Sequence, residues 1–157
     1  MTAPVTMESV RGFLNVHRIV IAGASRNPQD YSRSVARELE QRGYEVLYLN
    51  PGVDAIDGKV SYSSVHAITP VPEGVILLVP EGRVLETAKE CLNAGVRHLW
   101  FRHGEKTSEG YRAGIDAARA AGANVVSGEC PLMFLPDVAW IHRAHRYLRQ
   151  VTGTLPG

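Results

Sequence analysis

Short, nearly continuous apolar runs alternate along the chain with longer stretches in which apolar residues recur every three or four positions. The runs His17–Ala22, Glu45–Leu49, Val75–Val79, His98–Phe101 and Asn124–Ser127 read as five strands. The first three are so uniformly hydrophobic that both faces of their sheet are expected to be covered. Between them the helical period predicts segments that begin at Ser32 or Ser34, after Gly82, and at Ser108. These stop at Gly43, Gly95 and Gly122, where glycine suits the residue after a helix. A weaker helix is predicted over Ser63–Ile68. Helices are also predicted over Thr6–Leu14 and Val138–Val151, the latter with Val138, Ile141, Ala144, Leu148 and Val151 on one face. This alternation predicts an α/β fold: a Rossmann-like, doubly wound, parallel five-stranded sheet with helices on both faces and a flanking helix at each end of the chain.

Length and composition narrow the picture further. A chain of 157 residues is expected to form one domain, residues 1–157. Charged residues make up 21% and the net charge is +1, so no bias points to nucleic acid or to a membrane surface, and no apolar run reaches the length of a membrane span. The N-terminus has no apolar leader-like run, and Cys91 and Cys130 form no C-x-x-C pair. A cytoplasmic protein without a disulfide framework or metal site is expected.

In a doubly wound sheet, ligands bind beyond the carboxyl ends of the strands, where strand order reverses. That rule nominates the loops 23–31, 50–58, 80–83, 102–107 and 128–136. The first is the most informative. Gly23, Ala24 and Ser25 are small enough to let a diphosphate approach the backbone, Asn27 belongs to the same loop, and Arg26 and Arg33 add positive charge. The helix that follows offers free N–H groups and the positive end of its dipole. The loop is not the G-x-G-x-x-G fingerprint, and the second strand ends in Asn50-Pro51 rather than in the carboxylate that holds a nicotinamide cofactor's ribose. An adenine nucleotide of another kind is therefore expected. Among candidate reactive groups, His103 and Cys130 lie on the functional edge, but neither has an evident base or oxyanion partner in the sequence, and no catalytic residue is assigned.

The segments IVIAGASRNP, SVARELEQRGYEVLYLNP and GKVSYSSV, then Val79-Pro80 and Glu129-Cys130-Pro131, occur in this order over residues 15–136. Together they resemble the stand-alone CoA-binding protein family, which is similar to the CoA-binding domain of the succinyl-CoA synthetase alpha subunit. The resemblance implies coenzyme A or an acyl-CoA held along the strand ends. Gly23, Ala24 and Ser25 would lie at the diphosphate, Ser32 at the helix start, Asn50 and Pro51 near the adenosine, and Val79 and Pro80 beside the adenine or pantetheine. The sequence departs from the family pattern at Arg33 and Ser34, where Tyr and Arg are frequent, and in lacking a basic residue after Asn50-Pro51. The cation for the 3′-phosphate is then expected from Arg26, Arg33 or Lys59. The phosphorylated histidine of the synthetase belongs to a further domain, so ligase activity is not implied. The expected role is a non-catalytic CoA binder: a sensor, a carrier or a partner subunit, alone or as a homodimer. The rival roles are a transferase using the same pocket and an interaction module with a vestigial one.

Overall fold

The structure, a computed structural model, describes residues 5–135. The predicted helix over residues 138–151 lies outside the described residues. In chain order the elements are α1 (Met7–Leu14), β1 (Arg18–Ala22), α2 (Tyr31–Gln41), β2 (Glu45–Leu49), β3 (Ala55–Ile56), β4 (Lys59–Tyr62), β5 (Gly74–Leu77), α3 (Val84–Ala94), β6 (His98–Phe101), α4 (Glu109–Ala120) and β7 (Asn124–Ser127). The strands form one sheet in the order β3-β4-β2-β1-β5-β6-β7. All pairings are parallel except β3 with β4.

The central strands are apolar on both faces because both faces carry a core. Val20 and Ala22 of β1, Val75 and Leu77 of β5, and Leu99 and Phe101 of β6 point to one side, where they meet α3 and α4. Ile19 and Ile21, Ile76 and Trp100 point to the other, where they meet α1 and α2. Each such aliphatic side chain taken from water contributes about 1.5–3 kcal/mol. Phe13 of α1 stands edge-on to Trp100, 5.2 Å between centroids, and fastens the first helix to the sheet.

Among the described residues the sheet has seven strands rather than the expected five. The two extra strands are the hairpin β3–β4 on the β2 edge, turned by Asp57 and Gly58, whose φ values are 55° and 77°. An Asp-Gly pair with both residues at positive φ is the tight turn that matches the strands' own twist. The strands are short and half-solvated, so their periodicity is faint. The weak helix expected over Ser63–Ile68 is a single 3₁₀ turn, Val65–Ala67, capped by Ser64. The cap of α2 is Asp30, not Ser32 or Ser34.

The chain leaves β1 for β2 on one side and returns to β5 on the other, so the switch point lies between the ends of β1 and β5. Here the two strands approach as closely as backbones can. Gly23 has φ +90°, and a Cβ on it would meet the Leu78 carbonyl carbon and oxygen at 2.7 Å. Gly43 shares the φ of +90° but has nothing within 4 Å of its would-be Cβ. Gly43→Ala should therefore cost only the left-handed strain, about 1–2 kcal/mol. Gly23→Ala adds a clash with backbone that cannot rotate away and should cost more than about 3 kcal/mol. Urea midpoints of the two variants check this; equal losses would contradict the close approach.

Candidate functional site

Beyond the switch point lies an open cleft of about 520 Å³, within the size range of small-molecule sites. Its floor is Gly23. One wall is the β2 end, Leu49 to Gly52, with Ser63 beyond it. The other is the β5 end, Val79 and Pro80, followed by Arg83, Thr87 and Glu90 along α3.

Of the residues singled out in the sequence, Gly23, Asn50, Pro51, Val79 and Pro80 meet at this cleft. Asn50 is fixed there: its Nδ2 donates to the Ala24 carbonyl at 2.7 Å, its Oδ1 accepts from the Gly52 amide at 2.8 Å, and its own carbonyl accepts from the Ser61 hydroxyl. It therefore ties the first loop to the second. Ala24 is fully buried.

The remainder of the first loop is held by its own hydrogen bonds. The Ser25 amide donates to the Ser32 hydroxyl, the Asn27 amide to the Ser25 hydroxyl, and the Gln29 amide to Asn27 Oδ1. Ser32 in turn gives both its amide and its hydroxyl to the Asp30 carboxylate, at 2.9 and 2.7 Å. The N-terminus of α2, expected to be an open anion site, thus carries a carboxylate of the chain itself.

The three expected phosphate cations are distributed differently from the sequence reading. Arg33, only 5% exposed, donates to the Arg26 carbonyl and pairs with Asp57 at 2.9 Å, so it joins the first loop to the β3–β4 turn. Lys59 pairs with Glu40 at 3.1 Å. It precedes the Tyr48–Ser61 register by two residues, which places it level with Val46, toward the opposite end of the sheet from the cleft. Arg26 is exposed and does not line the cleft. The cation that lines it is Arg83, half-exposed and paired with Glu86 at 3.2 Å, an exposed contact of little strength. Arg83 falls inside the nominated loop 80–83, where no local sequence signal distinguishes it. Thr87 and Glu90 come to the cleft only because α3 turns that face toward it.

Farther along the strand ends, the Tyr31 hydroxyl lies 2.8 Å from Cys130 Sγ, and the Arg102 guanidinium lies 4.5 Å from the Tyr31 ring centre. Burial, then the Cys130 contact, raises the Tyr31 pKa and keeps the phenol protonated. Trp100 Nε1 donates to the Glu129 carbonyl at 2.8 Å and so anchors the Cys130 loop. His103 stands edge-on to Tyr111 at 5.2 Å.

The Asp30 carboxyl is held below its ordinary pKa chiefly by the hydrogen bonds from Ser32, with Arg102 adding to the effect. A lowered folded-state pKa contributes stability above the unfolded value, and this is lost as pH falls through the folded one. At pH 7 the protein should exceed Asp30→Ala by about 1 kcal/mol, the usual worth of such a cap. That lead should shrink below about pH 3.9, the ordinary aspartate value. Urea unfolding at pH 7 and pH 3 measures it; a lead independent of pH would contradict the charged cap.

Residues 17–136 match the model of the CoA binding domain. The acetate–CoA ligase (ADP-forming) II alpha subunit of Pyrococcus furiosus is 28% identical over 125 residues, 75% of this chain. The chain spans only 27% of that subunit's length. Among solved structures, a conserved hypothetical protein from Pyrococcus furiosus is 33% identical, with a TM-score of 0.65 over 74% of this chain and 97% of that one. A hypothetical protein from Pyrococcus horikoshii superposes with a TM-score of 0.73 at 26% identity, over 85% of this chain and 94% of that one. A doubly wound sheet with its cleft at the β1/β5 switch point, in a chain matched from His17 to Pro136, belongs to the CoA-binding domain family.

Proposed function

We propose that the protein, acting as one unit over residues 1–157, binds coenzyme A or an acyl-CoA in the cleft at the β1/β5 switch point. It does so without catalysing a reaction, as a sensor, a carrier or a partner subunit in the reducing cytoplasm. The observation that carries the proposal is the coincidence of that cleft with the family match: about 520 Å³ of open space at the strand ends of a CoA-binding domain. The chemistry of the lining suits the nucleotide half of the ligand. Leu49, Pro51, Val79 and Pro80 offer apolar surface for a base, and Arg83 offers a guanidinium for a phosphate. The diphosphate would approach the Gly23 turn, where the absence of a side chain leaves the backbone bare. The pantetheine arm would leave the cleft across the strand ends, toward the loops of β6 and β7. Asn50, whose amide is already committed to Ala24 and Gly52, is a poor substitute for the carboxylate that binds a nicotinamide cofactor's ribose.

Two outcomes follow. CoA should raise the melting temperature more than NAD does; at about 100 times its dissociation constant a ligand stabilises by about 2.7 kcal/mol, well within reach of a thermal-shift assay. Stabilisation by NAD and not by CoA would contradict the proposal. Arg83→Ala should lower CoA affinity about tenfold, the scale of one charge-assisted hydrogen bond, while Lys59→Ala leaves it unchanged. Calorimetric titration checks both, and a larger loss for Lys59→Ala would place the phosphate elsewhere.

A further inference from the structure

Arg83, the N-cap residue of the helix that walls the cleft, and Thr87 and Glu90 within that helix stand at positions i, i+4 and i+7. They share one face of α3, with the cation and the carboxylate about 10 Å apart along the axis. Glu90 is oriented by the chain itself. Its Oε1 accepts the Ser64 hydroxyl at 2.6 Å and the Val65 amide at 3.0 Å. That contact accounts for one carboxylate oxygen as a brace for the 3₁₀ turn. The other, Oε2, has no hydrogen-bond partner among the described residues and belongs to a residue that lines the cleft. Thr87, one turn before it, is only 5% exposed, lines the same cleft, and its hydroxyl likewise makes no hydrogen bond among the described residues. That hydroxyl oxygen still touches solvent, so it keeps its hydration and is open to a ligand from the cleft side. The cleft wall therefore presents an oriented acceptor beside an unpartnered donor, on neighbouring positions of one helix face.

Resting on the reading of the cleft as a CoA site, we propose that Glu90 and Thr87 read the base of the nucleotide and select adenine. The exocyclic amine of adenine would donate to Glu90 Oε2, and the adjacent ring nitrogen would accept from the Thr87 hydroxyl. Arg83, two turns away, is then left for a phosphate. Hypoxanthine, which carries a carbonyl in place of the amine, sets an acceptor against the carboxylate and is rejected. The ordinary alternative is that Glu90 only braces the turn and Thr87 only fills space. It would make the two residues indifferent to the identity of the base.

Glu90→Gln separates the two accounts. The Ser64 and Val65 donors require the remaining carbonyl oxygen, so the new amide must turn its N–H groups into the cleft, where they oppose adenine's amine and complement the carbonyl of hypoxanthine. Titration calorimetry with CoA and with its hypoxanthine analogue, desamino-CoA, should show the native protein preferring CoA by roughly tenfold. In Glu90→Gln the preference should reverse. Thr87→Val, which keeps the volume and removes the donor, should weaken CoA several-fold and remains informative if Glu90→Gln fails to fold. Equal affinity of the native protein for the two ligands would overturn the assignment, as would the same proportional loss for both ligands in Glu90→Gln, or unchanged CoA affinity in Thr87→Val. No binding of CoA by the native protein would instead overturn the reading of the cleft on which the inference rests.

Discussion

Everything at the strand ends depends on β1 and β5 meeting at a position with no side chain. The Gly23 amide donates to the Leu49 carbonyl at 2.9 Å and the Leu78 amide to the Ala22 carbonyl at 2.8 Å, so hydrogen bonding between strands continues past the end of β1 in both directions. Only a residue without Cβ can sit there, because the Leu78 peptide occupies the space where one would be. The consequence is a floor made of bare backbone, from which the first loop peels to one face and α3 descends on the other. The cleft is the gap left between those departures. Gly23 is therefore required by the fold itself, and a substitution there cannot report on ligand affinity alone.

Charge at the site is organised mainly by the chain's own acids. Asp30 takes the N-terminus of α2 and Asp57 takes Arg33, while Lys59, away from the cleft, is taken by Glu40. Arg33 is more than 90% buried, and its partner is supplied by the turn of the β3–β4 hairpin, so that hairpin steadies the first loop across the sheet edge. Among the described residues that line the cleft, the cation is Arg83 at the start of α3, with polar positions farther along the same helix. A site arranged this way holds its loop shape before any ligand arrives, which lowers the ordering cost of binding.

The strand and helix periods were sufficient to read the doubly wound sheet, because the central strands are apolar on both faces and the helices are strongly one-sided. Of the five loops that the switch-point rule nominates, those after β1, β2 and β5 contribute residues to the cleft. The β3–β4 hairpin is not legible in the sequence although Asp57-Gly58 is a strong turn signal, since Ala55–Ile56 and Lys59–Tyr62 are too short to show an alternation. The cations were assigned by proximity in sequence, and sequence does not say that Asp57 folds back onto Arg33 or that Lys59 lies at the level of Val46. Thr87 and Glu90 carried no local signal at all. Their place at the cleft follows from how α3 packs on the sheet, where Val84, Ala88 and Cys91 turn inward and leave the adjacent face to the strand ends.

The central claim is that the cleft between the β1 and β5 ends is the CoA site. The most direct measurement is an amide chemical-shift titration of the isotopically labelled protein with CoA. The account predicts that the largest changes fall on Gly23, Leu49, Asn50, Gly52, Val79, Arg83, Thr87 and Glu90, with smaller changes along the loops of β6 and β7. Saturable changes centred elsewhere, or a spectrum that does not respond to CoA, would contradict it.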